Sequence, residues 1–142
     1  MRASASHPPT KPLPRINGPE RHFWEGLRER EIRVQECLSC GRARFPASRY
    51  CSRCHSDQFT WAAVDPTGEV ESFCVFYKAY FPSFASELPY AVIQVKLKSG
   101  VRFFSNIVGV TKDNIRIGMH VTAVFDDVTP SLTLLKFRPS EN

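Results

Sequence analysis

The feature that most constrains this chain is a pair of C-x-x-C motifs in CLSCGRARFPASRYCSRC, residues 37–54. Ten residues separate the two motifs, and the interval contains no Asp or Glu. The motifs bring together four thiols: Cys37, Cys40, Cys51 and Cys54. Four thiols this close in sequence are typical of a metal site, a disulfide framework or a redox centre, and the choice among these determines the fold of the region.

The cellular compartment bears on this choice. Residues 1–18 are rich in Pro and Ser and lack the apolar segment of a secretory signal, which predicts a poorly ordered arm. No run approaches the roughly 18 apolar residues that suggest a membrane span, so no membrane association is predicted. We therefore expect a cytoplasmic protein, in which thiols stay reduced and paired C-x-x-C motifs more often bind metal.

A structural zinc ion is the predicted occupant of the four thiols. Two C-x-x-C turns that face each other complete a tetrahedron of sulfurs around zinc, and Gly41 suits the unusual backbone of the first turn. Iron in a rubredoxin-like site is the competing interpretation, because four thiolates accept either metal. A redox C-x-x-C usually stands alone near a βαβ pattern, which this chain lacks. His55 is interpreted as a surface residue and Cys74 as a small buried one.

The charge is distributed unevenly along the chain. Residues 1–60 contain eleven Lys or Arg against six Asp or Glu, whereas residues 61–142 contain eight of each. Four of the basic residues lie inside the cysteine motif: Arg42, Arg44, Arg49 and Arg53. They form either a patch for nucleic acid or another phosphate-bearing ligand, or a set of cations that offsets the formal −2 charge of a zinc ion with four thiolates.

Residues 19–35 are predicted to form a helix and a strand that leads into the cysteines. In PERHFWEGLRERE the residues Phe23, Trp24 and Leu27 fall on one side at helical spacing, which predicts a helix over Glu20–Glu31. The helix is short and its other face is charged, so it needs a surface to pack against. That surface is either the core of the same protein or a partner subunit. The segment IRVQEC then predicts a strand, and residues 36–60 a zinc ribbon.

After Cys54 the hydrophobic pattern changes to period two. Short segments in which Ile93, Val95 and Leu97 alternate with polar residues predict a sheet with one wet face. Five or six short strands and no long helix favour a small closed barrel over residues 61–142, for which the OB-fold is the best candidate. The four His show no Ser/His/Asp or paired-carboxylate pattern, so no catalytic residue is predicted.

Motifs along residues 20–139 resemble one protein family. They are FWEGLRE, C-x-x-C-G-x-x-x-F-P followed by C-x-x-C, TGEVESF, LPYAVIQV, SNIVGV, and RIGMHVTAVFDDV leading to LLKFRP. Each is weak alone, but their order and spacing together are specific. The chain is similar to the zinc-ribbon/OB-fold family, formerly a domain of unknown function, whose members accompany thiolase-like enzymes acting on acyl-CoA. The resemblance implies a mainly β chain with an N-terminal helix, a rubredoxin-like zinc ribbon and an OB-fold β-barrel.

The resemblance also implies a non-catalytic accessory subunit. The partner would be a thiolase, an acyltransferase or a steroid side-chain aldolase of thiolase fold, and that partner would supply the catalytic residues. A CoA thioester would then be a ligand of the heteromeric complex, bound near the interface. The extended loop Phe81–Pro89 is similar to that of members that pair with steroid side-chain or aromatic acyl-CoA enzymes.

Further site residues are predicted around this loop. We expect Tyr80, Phe81 and Phe84 to contact the partner, because a contiguous apolar patch usually marks an interface. The alternative is that these rings fold back over the end of the barrel. Arg102 is a candidate for binding a phosphate or carboxylate, although a solvated strand position explains it equally well.

The rival function is single-stranded nucleic-acid binding. OB-folds bind single strands by stacking bases on aromatic residues within a basic groove. The barrel half of this chain is neutral, so no nucleic-acid partner is predicted.

Overall fold

The computed structural model describes residues 11–140. Residues 1–10 of the predicted arm lie outside the described residues, and residues 11–18 contain no helix or strand. Lys11 makes two contacts with the loop from Tyr80 to Tyr90, which we call the aromatic loop. Its ammonium pairs with the carboxylate of Glu87 and lies 5.0 Å from the ring centroid of Phe84. The described end of the arm is therefore held against the loop.

Residues 11–140 form one α-helix, eight β-strands and two short 3-10 helices. The helix and strands are α1 Arg21–Arg28, β1 Ile32–Cys37, β2 Ala43–Arg44, β3 Phe59–Val64, β4 Thr67–Phe76, β5 Tyr90–Leu97, β6 Arg102–Ser105, β7 His120–Thr129 and β8 Leu132–Pro139. The 3-10 helices are Pro82–Glu87, within the aromatic loop, and Lys112–Asn114. Within this described part of the chain, no helix is both long and apolar enough to cross a membrane.

Helix α1 is shorter than the predicted Glu20–Glu31, and its C-terminus explains why. The N–H of Arg30 bonds to the carbonyl of Leu27 at 3.0 Å, and the N–H of Glu31 bonds to the carbonyl of Gly26 at 2.8 Å. These two bonds form a Schellman motif, whose turning residue adopts a left-handed backbone. Here that residue is Arg30, with φ of 64°. Because glycine usually occupies this position, the sequence contains no clear stop signal.

The three strands around the cysteines form a separate antiparallel sheet in the order β2-β1-β3. Strand β3 pairs with β1 along its full length, from Cys37 opposite Phe59 to Ile32 opposite Val64. The predicted boundary between ribbon and barrel, at residues 60 and 61, falls within β3. Residues 61–64 thus belong to the ribbon sheet. The sequence did not predict this, because the alternation in FTWAAV indicates a strand without indicating which sheet it joins.

The other five strands form a nearly closed barrel in the order β6-β5-β4-β7-β8, which confirms the mainly β fold with an OB-fold barrel. The two edge strands are joined by the segment that follows β6. The N–H of Val108 bonds to the carbonyl of Phe137 at 2.8 Å, and the N–H of Phe137 bonds to the carbonyl of Asn106 at 3.1 Å. Closing the sheet in this way satisfies backbone groups that an open edge would leave unpaired.

A single core joins the helix, the ribbon and the barrel. Phe45, from the hairpin between the two C-x-x-C motifs, lies 4.7 Å from Phe23 of α1 and 4.6 Å from Phe103 of β6 between ring centroids. The rings of Phe23 and Phe103 are themselves stacked at 5.8 Å. Since aromatic pairs at these distances stabilise one another beyond the area they bury, the three parts are held together as one unit.

The structure resolves the two alternatives for α1. Phe23 is 3% exposed and Leu27 is 0% exposed, and both belong to the core of the same chain. Neither side chain therefore has free surface with which to contact a partner. This differs from the partner-binding role predicted for both residues. Trp24 is only partly buried at the edge of this core, so a partner contact through Trp24 stays a prediction.

Cys74 is exposed rather than buried, which corrects the sequence interpretation. Strand β4 contains a bulge between Val70 and Ser72, where its pairing with β5 shifts by one residue. Such a bulge reverses which side chains face inwards along the rest of the strand. Val70 lies inside the barrel, and beyond the bulge Cys74 turns outwards, opposite Val92. Phe73 has the inward register, opposite Ile93, but remains 37% exposed.

Candidate metal centre

The two C-x-x-C motifs form turns of the same construction. In the first turn the N–H of Gly41 bonds to the carbonyl of Cys37 at 2.9 Å, and in the second the N–H of His55 bonds to the carbonyl of Cys51 at 2.8 Å. Gly41 and His55 both have a left-handed backbone, with φ of 80° and 67°. Each turn thereby directs two thiols to the same side.

The four thiols converge on one point. The sulfur atoms of Cys37, Cys40, Cys51 and Cys54 all lie within 4.8 Å of one another. Two of the separations cross between the turns: 3.6 Å from Cys37 to Cys54 and 3.7 Å from Cys40 to Cys51. A tetrahedron with metal–sulfur bonds of about 2.3 Å has edges of about 3.8 Å. The cysteine tetrad therefore fits a structural zinc ion, and tetrahedral iron has the same requirement for four sulfurs.

The backbone around the sulfurs favours their ionised form unequally. N–H groups of the second turn, led by that of Cys54, lower the pKa of Cys51 to about 6. The N–H of Cys40 likewise lowers the pKa of Cys37. The N–H of Ser56 acts to lower the pKa of Cys54, but burial and the neighbouring sulfurs outweigh it and raise this pKa to about 11. Since metal ions bind the thiolate form, a bound cation compensates the charge that disfavours ionisation of Cys54.

The hairpin between the turns is held by polar contacts to β1 and α1. The N–H of Ser48 donates to the side-chain carbonyl of Gln35 at 2.9 Å, and the N–H of Ala47 donates to the carboxylate of Glu20 at 3.1 Å. Both contacts join residues distant in sequence, so they fix the second half of the metal site relative to the first.

The arginines of the motif divide into two groups. Arg44 is buried, and its guanidinium donates to the hydroxyl and the carbonyl of Ser48 at 2.9 and 3.0 Å while lying 5.2 Å from the ring centroid of Phe59. The exposed group consists of Arg42, Arg49 and Arg53. Arg44 is therefore part of the ribbon's internal structure, whereas the other three side chains face solvent.

The predicted partner-binding loop is only partly exposed. Tyr80 is 66% and Phe81 53% exposed, whereas Phe84 is partly buried, with its ring 5.7 Å from that of Tyr90. The ring of Phe84 thus folds back on the end of the barrel, as one alternative expected. The other two rings project into solvent, where a partner could reach them. Its contact with a partner stays a prediction.

Arg102, the candidate phosphate ligand, already has an acidic partner. Its Nε lies 2.7 Å and its Nη2 3.3 Å from the carboxylate oxygens of Glu71 on strand β4, across the intervening strand β5. The guanidinium lowers the pKa of Glu71, which keeps that carboxylate ionised. A phosphate would have to compete with this carboxylate, and binding of phosphate by Arg102 stays a prediction.

Two open grooves were not anticipated from the sequence. The larger, of about 970 Å³, is lined at the barrel's end by side chains of both charges: Glu69, Glu71, Lys96, Lys98, His120 and Arg138. The smaller, of about 450 Å³, lies between the end of the aromatic loop and residues 106–115. Each groove is assembled from several separate segments, so no single motif in the sequence could have revealed it.

Four convergent cysteines on two matching turns, followed by a nearly closed five-stranded barrel, define a zinc-ribbon/OB-fold protein. Two family models match the chain in this order. Residues 24–60 match the rubredoxin-like zinc ribbon domain of ChsH2, and residues 61–126 match its C-terminal OB-fold domain. The chain belongs to this DUF35 family, of which ChsH2 is a member.

Curated relatives include both long and short chains. The chain is 36% identical over 132 residues to a probable enoyl-CoA hydratase alpha subunit of Thermomonospora curvata, matching 92% of this chain but 40% of that protein. It is 29% identical to the 3-oxo-4,17-pregnadiene-20-carboxyl-CoA hydratase alpha subunit of Mycobacterium tuberculosis, over 84% of this chain and 37% of that one. A DUF35 domain-containing scaffold protein of Methanocaldococcus jannaschii is 28% identical, over 84% of this chain and 89% of its own length.

One solved structure matches the fold closely. It is the Ltp2-ChsH2(DUF35) aldolase, with a TM-score of 0.80 and 35% sequence identity over 89% of this chain and 98% of the matched chain. At 89% of this chain, the match extends over both the ribbon and the barrel.

Proposed function

We propose that this chain is a non-catalytic accessory subunit that binds and completes a thiolase-like enzyme acting on acyl-CoA substrates. The observation that carries the proposal is the match over 98% of the matched chain in the Ltp2-ChsH2(DUF35) aldolase. The names of the relatives agree with such a role, since they describe alpha subunits of CoA-thioester hydratases and a scaffold protein.

The chemistry of the metal site supports a structural role. A catalytic zinc ion keeps one coordination position open for water or substrate, whereas four cysteine thiolates close the shell. The cysteine tetrad therefore organises the ribbon rather than a reaction. In this proposal the residues that form and break bonds belong to the partner.

The acyl-CoA is proposed as a ligand of the complex, located near its interface. The chain spans 40% of the length of the Thermomonospora curvata relative and 37% of the Mycobacterium tuberculosis one. In those proteins the ribbon and barrel therefore make up a minor part of a longer polypeptide, as an accessory module would. The proposed partner is a steroid side-chain aldolase, a thiolase or an acyltransferase. We propose that the complex is located in the cytoplasm.

Co-expression with a thiolase-like protein encoded beside this gene tests the proposal. We expect the two proteins to co-elute with one zinc ion per copy of this chain, and we expect acyl-CoA turnover only from the complex. Turnover by this chain when it is purified alone, or failure to bind any such neighbouring enzyme, would contradict the proposal. Retention of single-stranded DNA by the free chain at physiological salt would favour the nucleic-acid alternative instead.

A further inference from the structure

The outer face of strands β4, β5 and β6 departs from the wet face that the sequence predicts. Directly opposite residues of paired strands share a face. At the end where β5 leads into β6 this face is polar, with Lys96 opposite Arg102. Towards the other end it becomes apolar. Phe104 stands on the same outer face, opposite Gln94, and Val92 and Cys74 follow one step further along.

Apart from the polar pair Ser72 and Gln94, this surface stays apolar up to the aromatic loop. Next to Cys74 and Val92 on the same face, Phe76 and Tyr90 are stacked in parallel, with ring centroids 5.2 Å apart and planes inclined by 7°. Tyr90 contacts Phe84, which contacts Phe81 at 6.3 Å between centroids. Tyr80 also contacts Phe76, edge-on at 6.3 Å.

We call this surface the aromatic face. It consists of Phe104, Val92, Cys74, Phe76, Tyr90, Phe84, Phe81 and Tyr80. Three of its aromatic side chains are largely exposed to solvent. Phe104 is 76%, Tyr80 66% and Phe81 53% exposed. At roughly 200 Å² per aromatic side chain, these three rings alone expose about 400 Å². A standard interface buries about 800 Å² on each partner, so three side chains supply about half of one.

Two of the charges at the border of the aromatic face are paired within the chain. Lys11 pairs with Glu87 at one side, and Arg102 pairs with Glu71 at the other. Lys78 lies 5.2 Å from the ring centroid of Tyr80, and Lys96 is exposed beside Arg102. A partner that covers the centre of this surface therefore does not need to compensate the two ion pairs, and an apolar surface fits that centre. An apolar centre with a polar border is the usual arrangement of a protein interface.

We propose that the aromatic face, including Phe104 on the barrel wall, is the surface through which this chain docks on an apolar surface of its enzyme partner. The inference rests on the proposed function and adds the surface that performs it. The barrel wall was not among the partner-binding residues predicted from the sequence. Helix α1 is instead committed to the chain's own core through Phe23 and Leu27.

Cys74 offers a direct test because its thiol is exposed in the middle of the aromatic face. The other four cysteines form the metal site, and bound metal slows their reaction with alkylating reagents. The zinc-loaded subunit is treated with a maleimide, alone and in the complex with the neighbouring thiolase-like enzyme, and modification is followed by mass spectrometry. We expect the complex to slow modification of Cys74 at least tenfold, and Cys74→Ser serves as the control for background labelling.

Variants test the same surface without the thiol. Phe104→Ser should reduce the affinity for the enzyme at least tenfold while leaving the zinc content and melting temperature of the free subunit nearly unchanged, because this ring is largely in solvent. Leu38→Ser is the matched control, since Leu38 is 63% exposed but lies on the ribbon. It should bind normally. The double variant Phe81→Ala/Phe84→Ala should also lose affinity.

The outcomes separate this inference from the function on which it rests. If no complex forms with any thiolase-like neighbour, the proposed function fails. If the complex forms but Cys74 reacts at its free rate and Phe104→Ser binds normally, the docking surface alone is overturned. A free subunit that is a dimer, becomes monomeric on Phe104→Ser and still binds the enzyme normally would likewise overturn it, because a second copy would then be the occupant.

Discussion

At the scale of single residues, the two turns of the metal site place different side chains in the same backbone conformation. Gly41 and His55 each lie four positions after the first cysteine of their turn, and both have positive φ. This conformation costs a residue with a Cβ atom roughly 1–2 kcal/mol, whereas glycine adopts it freely. The second turn therefore keeps strain that the first avoids, and the metal site has to offset it.

Gly41→Ala should lower the stability of the zinc-loaded protein by about 1–2 kcal/mol. A Cβ atom at Gly41 would meet nothing within 4 Å, so backbone strain is the whole expected cost. Gly18→Ala is the matched control, because a Cβ there is equally free of contacts and its φ is not left-handed. Denaturant unfolding measures both, and equal costs for the two variants would contradict the explanation.

The ion pair between Arg30 and Asp127 predicts a pH dependence. The two guanidinium nitrogens lie 3.0 and 2.8 Å from the Asp127 oxygens, and the hydroxyl of Thr133 donates to the same carboxylate at 2.7 Å. These donors, led by Arg30, lower the pKa of Asp127 to about 2. Because the folded pKa lies below the unfolded value of about 3.9, the pair stabilises the fold above that pH. The stabilisation is lost as pH falls through about 2.

Asp127→Asn isolates this effect. Wild type and variant should differ by a constant, small amount in melting temperature from pH 7 down to about 4.5, since an exposed ion pair contributes little. The difference should shrink as pH falls from about 4 and vanish only below about pH 2. Metal loss at low pH affects both proteins alike, so their difference reports the ion pair. A difference that does not decrease between about pH 4 and about pH 2 would argue against this role for the carboxylate.

At the scale of secondary-structure elements, α1 and the aromatic loop use their apolar residues in different ways. Both carry clustered aromatic residues, but α1 directs Phe23 and Leu27 into the shared core. The loop, in contrast, leaves Tyr80 and Phe81 largely in solvent. The physical difference is that α1 packs between two sheets, whereas the loop lies at the open end of one.

Leu27→Ala should destabilise the free subunit by about 2–5 kcal/mol, the usual cost of truncating a buried leucine. Leu27 has no exposed surface, so the variant leaves a cavity between helix and barrel. Trp24→Ala should cost less stability, since Trp24 is only partly buried, and it should weaken the complex more than the fold. Denaturant unfolding and binding to the enzyme are measured for both. If the Trp24 variant assembles with the enzyme as the wild type does, α1 is not part of the interface.

At the scale of the whole molecule, the metal site and the barrel are joined through one core. Phe45 of the ribbon hairpin contacts Phe103 of the barrel and Phe23 of α1. A ribbon that loses its metal therefore also withdraws an aromatic ring from the barrel core. The two domains recognised by the family models, residues 24–60 and 61–126, accordingly share one hydrophobic core in this structure.

Cys37→Ser, or removal of zinc by a strong chelator, should therefore lower the melting temperature of the entire subunit in one transition. Binding energy and folding energy are coupled in such sites, so loss of a ligand unfolds the ribbon. Cys74→Ser should retain one zinc ion and melt as the wild type does, because Cys74 is not a ligand. Elemental analysis and calorimetry give the two readouts. Two separate transitions, with the barrel unaffected, would contradict the single core.

The sequence by itself predicted the cysteine cluster, the strands in their succession along the chain, and the family. The two C-x-x-C motifs lie close in sequence and act locally, and alternating hydrophobicity is a local property of each strand. Only the tertiary structure decided that β3 joins the ribbon sheet, that the bulge after Val70 turns Cys74 outwards, and that Phe104 extends the aromatic face. These features depend on which strand pairs with which and in what register, and such pairings join segments whose local patterns are the same for every choice of partner.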